Sequence, residues 1–176
     1  RKNIPDVYNE LTIRFKQPFS LIFRVYNDGV AYRFLSHIKD SIIIKQEIAS
    51  FNFPANHLLY YPEVVKRDNA DIYHTSFEEP HKLKPLDSLT QSNLCFTPVL
   101  VAPSDGPKII ITESDLEDYP GMFISGNGNN SLTGRFAPYP LEEKIAEGEF
   151  PQAIVTKRAE YIAKTKGTRR FPWRVF

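Results

Sequence analysis

The stretch that decides the fold is LIFRVYNDGVAYRF, residues 21–34. Apolar side chains recur at every second position on both sides of its centre, which is the period of a half-buried β-strand. Asp28 and Gly29 separate the two runs, and these residue types tolerate the positive φ angles of a tight turn. The stretch therefore predicts a β-hairpin. Arg24 and Arg33 lie on its more polar face, where an acid from a neighbouring strand could meet them.

Further alternating or apolar runs follow the same pattern and are bounded by turn residues. They are YNELTIRFK, SIIIKQEIASFNF, NLCFTPVLVAP, PKIIITES, GMFIS and SLTGRFAP. The flexible sequence GNGNN lies between the last two. NLCFTPVLVAP and PKIIITES are continuous apolar runs, a pattern typical of strands that are covered on both faces.

Helical signals are few. PLEEKIAEG could form about two helical turns, with Pro140 near the start and Gly148 as the stop. KRAEYIAKTKG fits either a helix or a strand. The chain has 14 prolines, which leave little room for long helices. We therefore predict an all-β, antiparallel sandwich with few short helices and long decorated loops, notably residues 56–89.

The composition is that of a globular domain. The 176 residues are 41% hydrophobic and 13% aromatic, with a net charge of +1, so no field favours nucleic acid or an anionic membrane. No apolar run approaches the ~18 residues of a membrane span. Cys95 is the single cysteine, which excludes an internal disulfide and suggests a small buried hydrophobe. We expect residues 1–176 to be a single domain and a fragment of a larger protein.

The segment ITESDLEDYPGMFIS, residues 111–125, concentrates acids directly after an apolar strand. Ser114 and Glu117 fit a capping box that would begin one helical turn before Pro120. That interpretation leaves Glu113 unexplained, because it stands at the exit of the strand, where a side chain can serve a site formed with another part of a protein. The sequence shows no complete metal site around it.

Other candidates for chemistry have weak context. The acid pairs Glu78–Glu79 and Glu142–Glu143 have nothing beside them that indicates a glycosidase, and no nucleotide-binding loop or histidine pair is present. Two aromatic positions could stack on a sugar ring, Trp173 and the pair at residues 60–61. For Trp173, packing at a domain junction is the stronger interpretation, because Pro172 and the Val-Phe that follows are typical of an anchored strand.

Four separated motifs carry a resemblance to a known family. YNELTIRF, LIFRVYNDGVAYRF, ITESDLEDYPGMFI and the terminal FPWRVF resemble the N-terminal domain of glycoside hydrolase family 97, which contains bacterial α-glucosidases and α-galactosidases. The resemblance implies a β-super-sandwich similar to galactose mutarotase-like domains, preceding a (β/α)8 catalytic barrel that acts on oligosaccharides. It implies a periplasmic or secreted enzyme, and a domain that is inactive by itself.

The resemblance also gives Glu113 a role. In the family, a glutamate of the Thr-Glu element reaches from this domain to the active site of the barrel and helps to bind a catalytic calcium ion. By motif match that glutamate is Glu113, so we expect calcium binding in the longer protein and weak or no binding by the domain alone.

One segment departs from the family pattern. The family has Tyr-Glu-x-x-Tyr where this chain has DIYHTSF, so Tyr73 and Phe77 keep an aromatic spacing but His74 replaces the acid. This leaves any substrate contact of the segment open. Two other functions also stay open at this point: a carbohydrate-binding module that acts alone, and a structural or interaction domain without a link to sugars.

Overall fold

The computed structural model describes residues 3–66, 71–74, 76–147 and 151–176, and these consist almost entirely of antiparallel strands. The predicted all-β class with few short helices is confirmed. Apart from strands, one 3₁₀ turn occurs in the described residues, Leu86–Ser88. The strands are β1 (Asn9–Arg14), β2 (Phe19–Val25), β3 (Val30–His37), β4 (Ile42–Ile44), β5 (Ser50–Asn52), β6 (Leu58–Pro62), β7 (His81–Pro85), β8 (Leu94–Phe96), β9 (Val99–Ala102), β10 (Ile109–Ser114), β11 (Met122–Gly126), β12 (Ser131–Phe136), β13 (Pro140–Ile145), β14 (Ala153–Arg158), β15 (Ala163–Thr165), β16 (Thr168–Arg170) and β17 (Trp173–Val175).

The larger sheet has the strand order β1-β2-β3-β17-β10-β9-β6-β7, and β16 also pairs with β3. The predicted hairpin is β2–β3, whose register runs from Phe19 opposite Ser36 to Val25 opposite Val30. The turn itself differs from the prediction, because neither Asp28 nor Gly29 has a positive φ. Four residues rather than two join the strands, so the turn closes without the left-handed conformation.

The smaller sheet has the order β5-β12-β11-β8, and it packs on the larger one. Side chains from facing sides of the two sheets form one core, which explains why strands of both sheets alternate buried and less buried positions. The principal core residues are Phe51, Leu59, Tyr61, Cys95, Val99, Val101, Ile111, Met122, Ile124, Leu132 and Phe136. The buried position predicted for Cys95 is confirmed.

The prediction of a helix in PLEEKIAEG is wrong for the described residues, because 140–145 form strand β13. This strand pairs with β14, and an ion pair of 3.0 Å joins Lys157 to Glu142 across the pair. A helix of two turns is marginal in water, so cross-strand pairing determines the outcome. Gly148, the predicted helix stop, lies outside the described residues. The ambiguous KRAEYIAKTKG contributes to strands β14 and β15.

The prediction of an irregular loop over residues 56–89 is also wrong in part. It contains β6 and β7, which pair over five residues, and the 3₁₀ turn.

The expectation that β9 and β10 are covered on both faces is wrong for their outer face. Val99, Val101 and Ile111 are buried against the smaller sheet, whereas Ile110 on the outer side is 54% exposed. The described part of the chain contains no helix with the length and apolarity of a membrane span.

Candidate functional site

Glu113 lies inside β10, and its side chain points between the two sheets. The alternation of a strand places it on the same side as the buried Ile111. Only 11% of the Glu113 side chain is exposed, so it is not the projecting rim carboxylate that its sequence position suggests. The main-chain amide of Met122 donates to its Oε1 at 2.9 Å, which joins β10 to the beginning of β11.

Arg174 is the second partner of Glu113 and the centre of the cluster. The two residues are opposite each other in the pairing of β10 with β17, and Nη1 donates to Glu113 Oε2 at 2.6 Å. Glu47 accepts from Nε and Nη2, each at 2.7 Å. The guanidinium also lies 5.0 Å from the ring centre of Phe136. With 1% of its side chain exposed, Arg174 has all its charged contacts inside the protein.

The cluster contains two carboxylates for one guanidinium, and burial makes that imbalance costly. Burial raises the pKa of Glu113, while the Met122 amide and Arg174 oppose this shift without cancelling it. Burial lowers the pKa of Arg174, but the hydrogen bond and charge of Glu47 outweigh it and the net shift is upward. Burial, followed by the charge of Glu47, raises the pKa of Tyr119. Glu113 therefore binds its proton more tightly than an exposed glutamate does.

A calcium ion needs six to eight oxygen ligands, and the Glu113 cluster offers few free oxygens for one. Both Glu113 oxygens already accept hydrogen bonds, and the Arg174 guanidinium at 2.6 Å repels a cation. In residues 3–66, 71–74, 76–147 and 151–176, no group of three or more His, Cys, Asp and Glu side chains could hold a metal. The described residues therefore do not form a calcium site by themselves, and in this arrangement Glu113 has no free oxygen for one; its role as a ligand in the longer protein stays a prediction.

The remaining acids do not form the predicted capped turn. Ser114 is the last residue of β10, opposite Trp173, and residues 115–121 are not helical. Asp115 and Asp118 have positive φ angles of 60° and 47°. The segment is held by hydrogen bonds from arginines and not by the hydrogen bonds of a helical turn. The main-chain oxygens of residues 117 and 118 accept from Arg169 at 2.8 and 3.1 Å.

Arg24 and Arg33 both pair with acids, but only Arg24 meets the predicted acid from a neighbouring strand. Arg24 pairs with Glu10 on the adjacent strand β1 at 2.9 Å, whereas Arg33 pairs with Asp115 from the loop after β10 at 2.5 Å. Both guanidiniums also lie against the ring of Trp173, at 4.8 and 4.7 Å from its centre. The ring of Trp173 therefore contacts groups of its own domain, while packing at a domain junction stays a prediction.

Tyr60 and Tyr61, the other candidates for stacking on a sugar, point to opposite faces of β6. Tyr61 is completely buried in the core, while Tyr60 is 39% exposed on the outer face of the larger sheet. Successive side chains of a strand point to opposite faces, so these two rings cannot form one surface. Only Tyr60 keeps a ring that a ligand could reach.

The segment that departs from the family pattern covers the outer side of the smaller sheet. The ring of Tyr73 lies 5.2 Å from that of Phe123, and Phe77 lies 4.9 Å from Phe96. His74 Nε2 is 3.1 Å from Gln152 Oε1. The two aromatic positions therefore have a packing role here, and a substrate contact stays a prediction. Residue 75 lies outside the described residues.

Sequence reasoning missed Glu47 and Arg174. Glu47 lies between β4 and β5 and is 127 positions from Arg174, so no local spacing relates them. The signal that could have found them is a charge inside an apolar run. Arg174 follows Trp173 and precedes Val175 in a strand, and a buried arginine requires a carboxylate partner.

The geometry defines a class: an antiparallel β-sandwich domain whose central polar feature is a buried arginine with two glutamates. A protein-family model described as "Glycosyl-hydrolase 97 N-terminal" matches residues 1–176. The chain belongs to this family.

The chain is 38% identical over 172 residues to a retaining alpha-galactosidase of Bacteroides thetaiotaomicron, covering 96% of this chain and 26% of that protein. Two solved structures of a glycoside hydrolase family 97 enzyme from Pseudoalteromonas sp. strain K8, one with acarbose and one with panose, both match with a TM-score of 0.69 and 20% identity. Each match covers 99% of this chain and 24% of that enzyme. At this identity the likeness shows the fold. The chain spans about a quarter of the length of the relatives that it matches.

Proposed function

We propose that the chain is a non-catalytic N-terminal domain of an α-galactosidase or α-glucosidase, and that it packs on the catalytic barrel of the same protein. The observation that carries this proposal is the family match over the whole chain, combined with coverage of only 26% of the related α-galactosidase. The substrate would be an oligosaccharide with an α-linked galactose or glucose. A periplasmic or secreted location stays a prediction from the family.

The geometry supports a role that is not catalytic. A glycosidase needs two carboxylates that flank the scissile bond with room for a sugar or a water between them. Glu47 and Glu113 lie close together with only 13% and 11% of their side chains exposed, yet the guanidinium of Arg174 bonds to both. Carboxyl groups whose oxygens are held by these bonds are not free to approach a sugar carbon or a glycosidic oxygen.

The role of Glu113 as a calcium ligand stays a prediction about the longer protein. For Glu113 to bind calcium there, Arg174 would have to keep its bond to Glu47 alone. The comparison of Glu113→Gln with Glu47→Gln in the longer protein separates the two roles. A calcium ligand predicts that only Glu113→Gln reduces calcium-dependent hydrolysis, whereas a structural role predicts similar losses of folding stability in both.

The experiment that tests the main proposal uses the coding sequence beyond Phe176 and the protein it encodes. We expect a barrel-encoding sequence there, and hydrolysis of nitrophenyl α-galactoside or α-glucoside by the longer protein. We also expect no hydrolysis by residues 1–176 alone. If no barrel is encoded, or if the longer protein hydrolyses neither substrate, the proposal is wrong.

The alternative of a carbohydrate-binding module has one observation in its favour, the exposed ring of Tyr60. An aromatic ring can stack on the apolar face of a sugar. Titration of residues 1–176 with maltooligosaccharides and galactosides, followed by calorimetry, tests this function. Binding that Tyr60→Ala abolishes would favour the module, and no binding would leave the first proposal in place.

A further inference from the structure

The outer face of the larger sheet carries a row of apolar side chains that the described residues leave uncovered. The row runs straight across four strands in register, since Ile110 is opposite Leu100 and Leu100 is opposite Tyr60, which is opposite Leu83. Ile110 is 54%, Tyr60 39% and Leu83 48% exposed. Contiguous apolar surface of this kind is typical of interaction sites. We call these four residues the outer row.

Strand β7 shows that the outer row is not an ordinary solvent face. In a two-layer sandwich, an edge strand normally points its apolar residues toward the core and its charges outward. Here Lys82 and Lys84 are opposite Tyr61 and Leu59 and so share the core-facing side, while Leu83 points outward. Lys82 is paired with Glu63 on that side. The polarity of β7 is therefore reversed with respect to the sandwich.

Two further observations point the same way. The continuous apolar sequences of β9 and β10 are typical of strands covered on both faces, yet only their inner face is covered here. The other half of the outer face is charged and internally satisfied, because Glu10 pairs with Arg24 and Asp115 with Arg33. The outer face thus divides into a half whose two arginines have acid partners within the domain and an apolar half that has no cover in the described residues.

We propose that the outer row is the surface on which the catalytic part of the same polypeptide packs. This rests on the proposed function above. Relatives are about four times as long as this chain, which covers 26% and 24% of them, so a large part of such a protein is available to cover the row. A partner in the same polypeptide is always present, and permanent interfaces are the more apolar ones. Isolated charges would disfavour such a face, and the outer row contains none.

The test is site-specific thiol labelling of the longer protein. Leu83→Cys places a thiol in the outer row, and Lys84→Cys is the matched control on the adjacent position of the same strand, which points to the other face. Both positions are exposed in this structure. If the outer row is uncovered in the longer protein, the two thiols should therefore be labelled at equal rates. Burial by the catalytic part predicts that the native protein labels at position 83 at least about tenfold more slowly than at position 84.

The readout is maleimide modification located by peptide mass spectrometry. Cys95 is completely buried and serves as an internal reference, because it labels only when the domain unfolds. If Leu83→Cys does not fold, Ile110→Cys at the other end of the row replaces it. Equal labelling at positions 83 and 84 would overturn the proposal. Protection that disappears on dilution to a monomer would indicate a second copy as the partner and would also overturn it. Labelling needs no activity, so a longer protein that hydrolyses no glycoside would refute the proposed function without deciding this result.

Discussion

Glu113 and Arg174 occupy opposite positions on two neighbouring strands, and their side chains meet at 2.6 Å inside the sandwich. The bond ties β10 to β17, and through Glu47 it also reaches the segment that leads into the smaller sheet. Strand β10, which precedes the acid cluster in the sequence, is thus held by Arg174 of the last strand, β17. Arg174 and the two glutamates therefore form one buried charge network that joins the larger sheet to the segment before β5 of the smaller sheet.

The first prediction concerns this network. Arg174→Met removes the guanidinium that pairs with both Glu47 and Glu113 and leaves these two buried carboxylates uncompensated. We expect the free energy of unfolding to fall by about 3–5 kcal/mol, because removal of one member of a buried ion pair leaves the other as an unpaired buried charge. Urea denaturation followed by circular dichroism measures it.

The control for this experiment is Arg14→Met, which removes an arginine from an exposed position of β1. Its effect should stay within about 0.5 kcal/mol, as for most surface substitutions. Arg174→Lys keeps the charge but cannot bond to Glu47 through two nitrogens, so it should lie between the two. Equal stability of Arg174→Met and Arg14→Met would contradict the structural importance of the network.

The second prediction is a pH dependence of stability with a defined sign. The pKa of Glu113 is raised above its usual 4.5 in the folded state, so the folded protein binds this proton more tightly than the unfolded chain. Its contribution to stability is present below the unfolded pKa and is lost as the pH rises through the folded pKa. The excess stability of the wild type over Glu113→Gln should therefore shrink as the pH rises above 4.5.

The measurement is a series of urea denaturations of both proteins at increasing pH. Glutamine mimics the protonated carboxyl, so the variant lacks the titration while keeping an oxygen that can accept from the Met122 amide. A difference that grows with rising pH would show a lowered pKa, and would mean that Arg174 outweighs burial at this site.

Much of the sandwich could be predicted from the sequence, because a strand shows its two faces locally. The alternation in residues 21–34 was sufficient for β2 and β3, and the apolar runs identified β9 and β10. The long-range network was beyond such reasoning, since 61 residues separate Glu113 from Arg174. The acid cluster was misread for the same reason. Its helix-capping pattern is local, whereas its actual partners, Arg33 and Arg169, come from distant strands.

The third prediction distinguishes two kinds of glycine in turns. Gly29 has no positive φ, and a Cβ there would lie 3.4 Å from the oxygen of Phe176, an ordinary contact. Gly29→Ala should therefore be neutral or stabilise the fold by about 0.4–1 kcal/mol, because alanine restricts the unfolded chain. A loss of stability would indicate the left-handed turn that the sequence suggests.

Gly128 is the matched control in the loop between β11 and β12. Its φ is +71°, and a Cβ there would meet nothing within 4 Å, so any loss comes from the backbone alone. Gly128→Ala should destabilise by about 1–2 kcal/mol. The opposite signs of the two substitutions, read from urea denaturation midpoints, test both turn geometries together.

The fourth prediction separates the two arginines that contact Trp173. Arg33 is buried and donates to the main-chain oxygen of Phe171 at 2.7 Å as well as to Asp115, whereas Arg24 is more exposed and pairs with Glu10. Arg33→Met should cost about 1.5–3 kcal/mol, because it removes charged hydrogen bonds and leaves a carbonyl without its donor. Arg24→Met should cost less than about 1 kcal/mol, since a partly exposed ion pair is screened by water.

Trp173 is the single tryptophan of the chain, so its fluorescence reports directly on β17 and on both arginines. Each substitution removes a guanidinium that lies within 5 Å of the ring centre, and both should change the native emission. Only Arg33→Met should also move the unfolding midpoint substantially, because its bonds hold the segment between β16 and β17 and the segment after β10 against β3. Equal midpoints for the two variants would show that the stability of this half of the sheet comes from the apolar pairing of β2 with β3, and that the polar contacts around Trp173 add little to it.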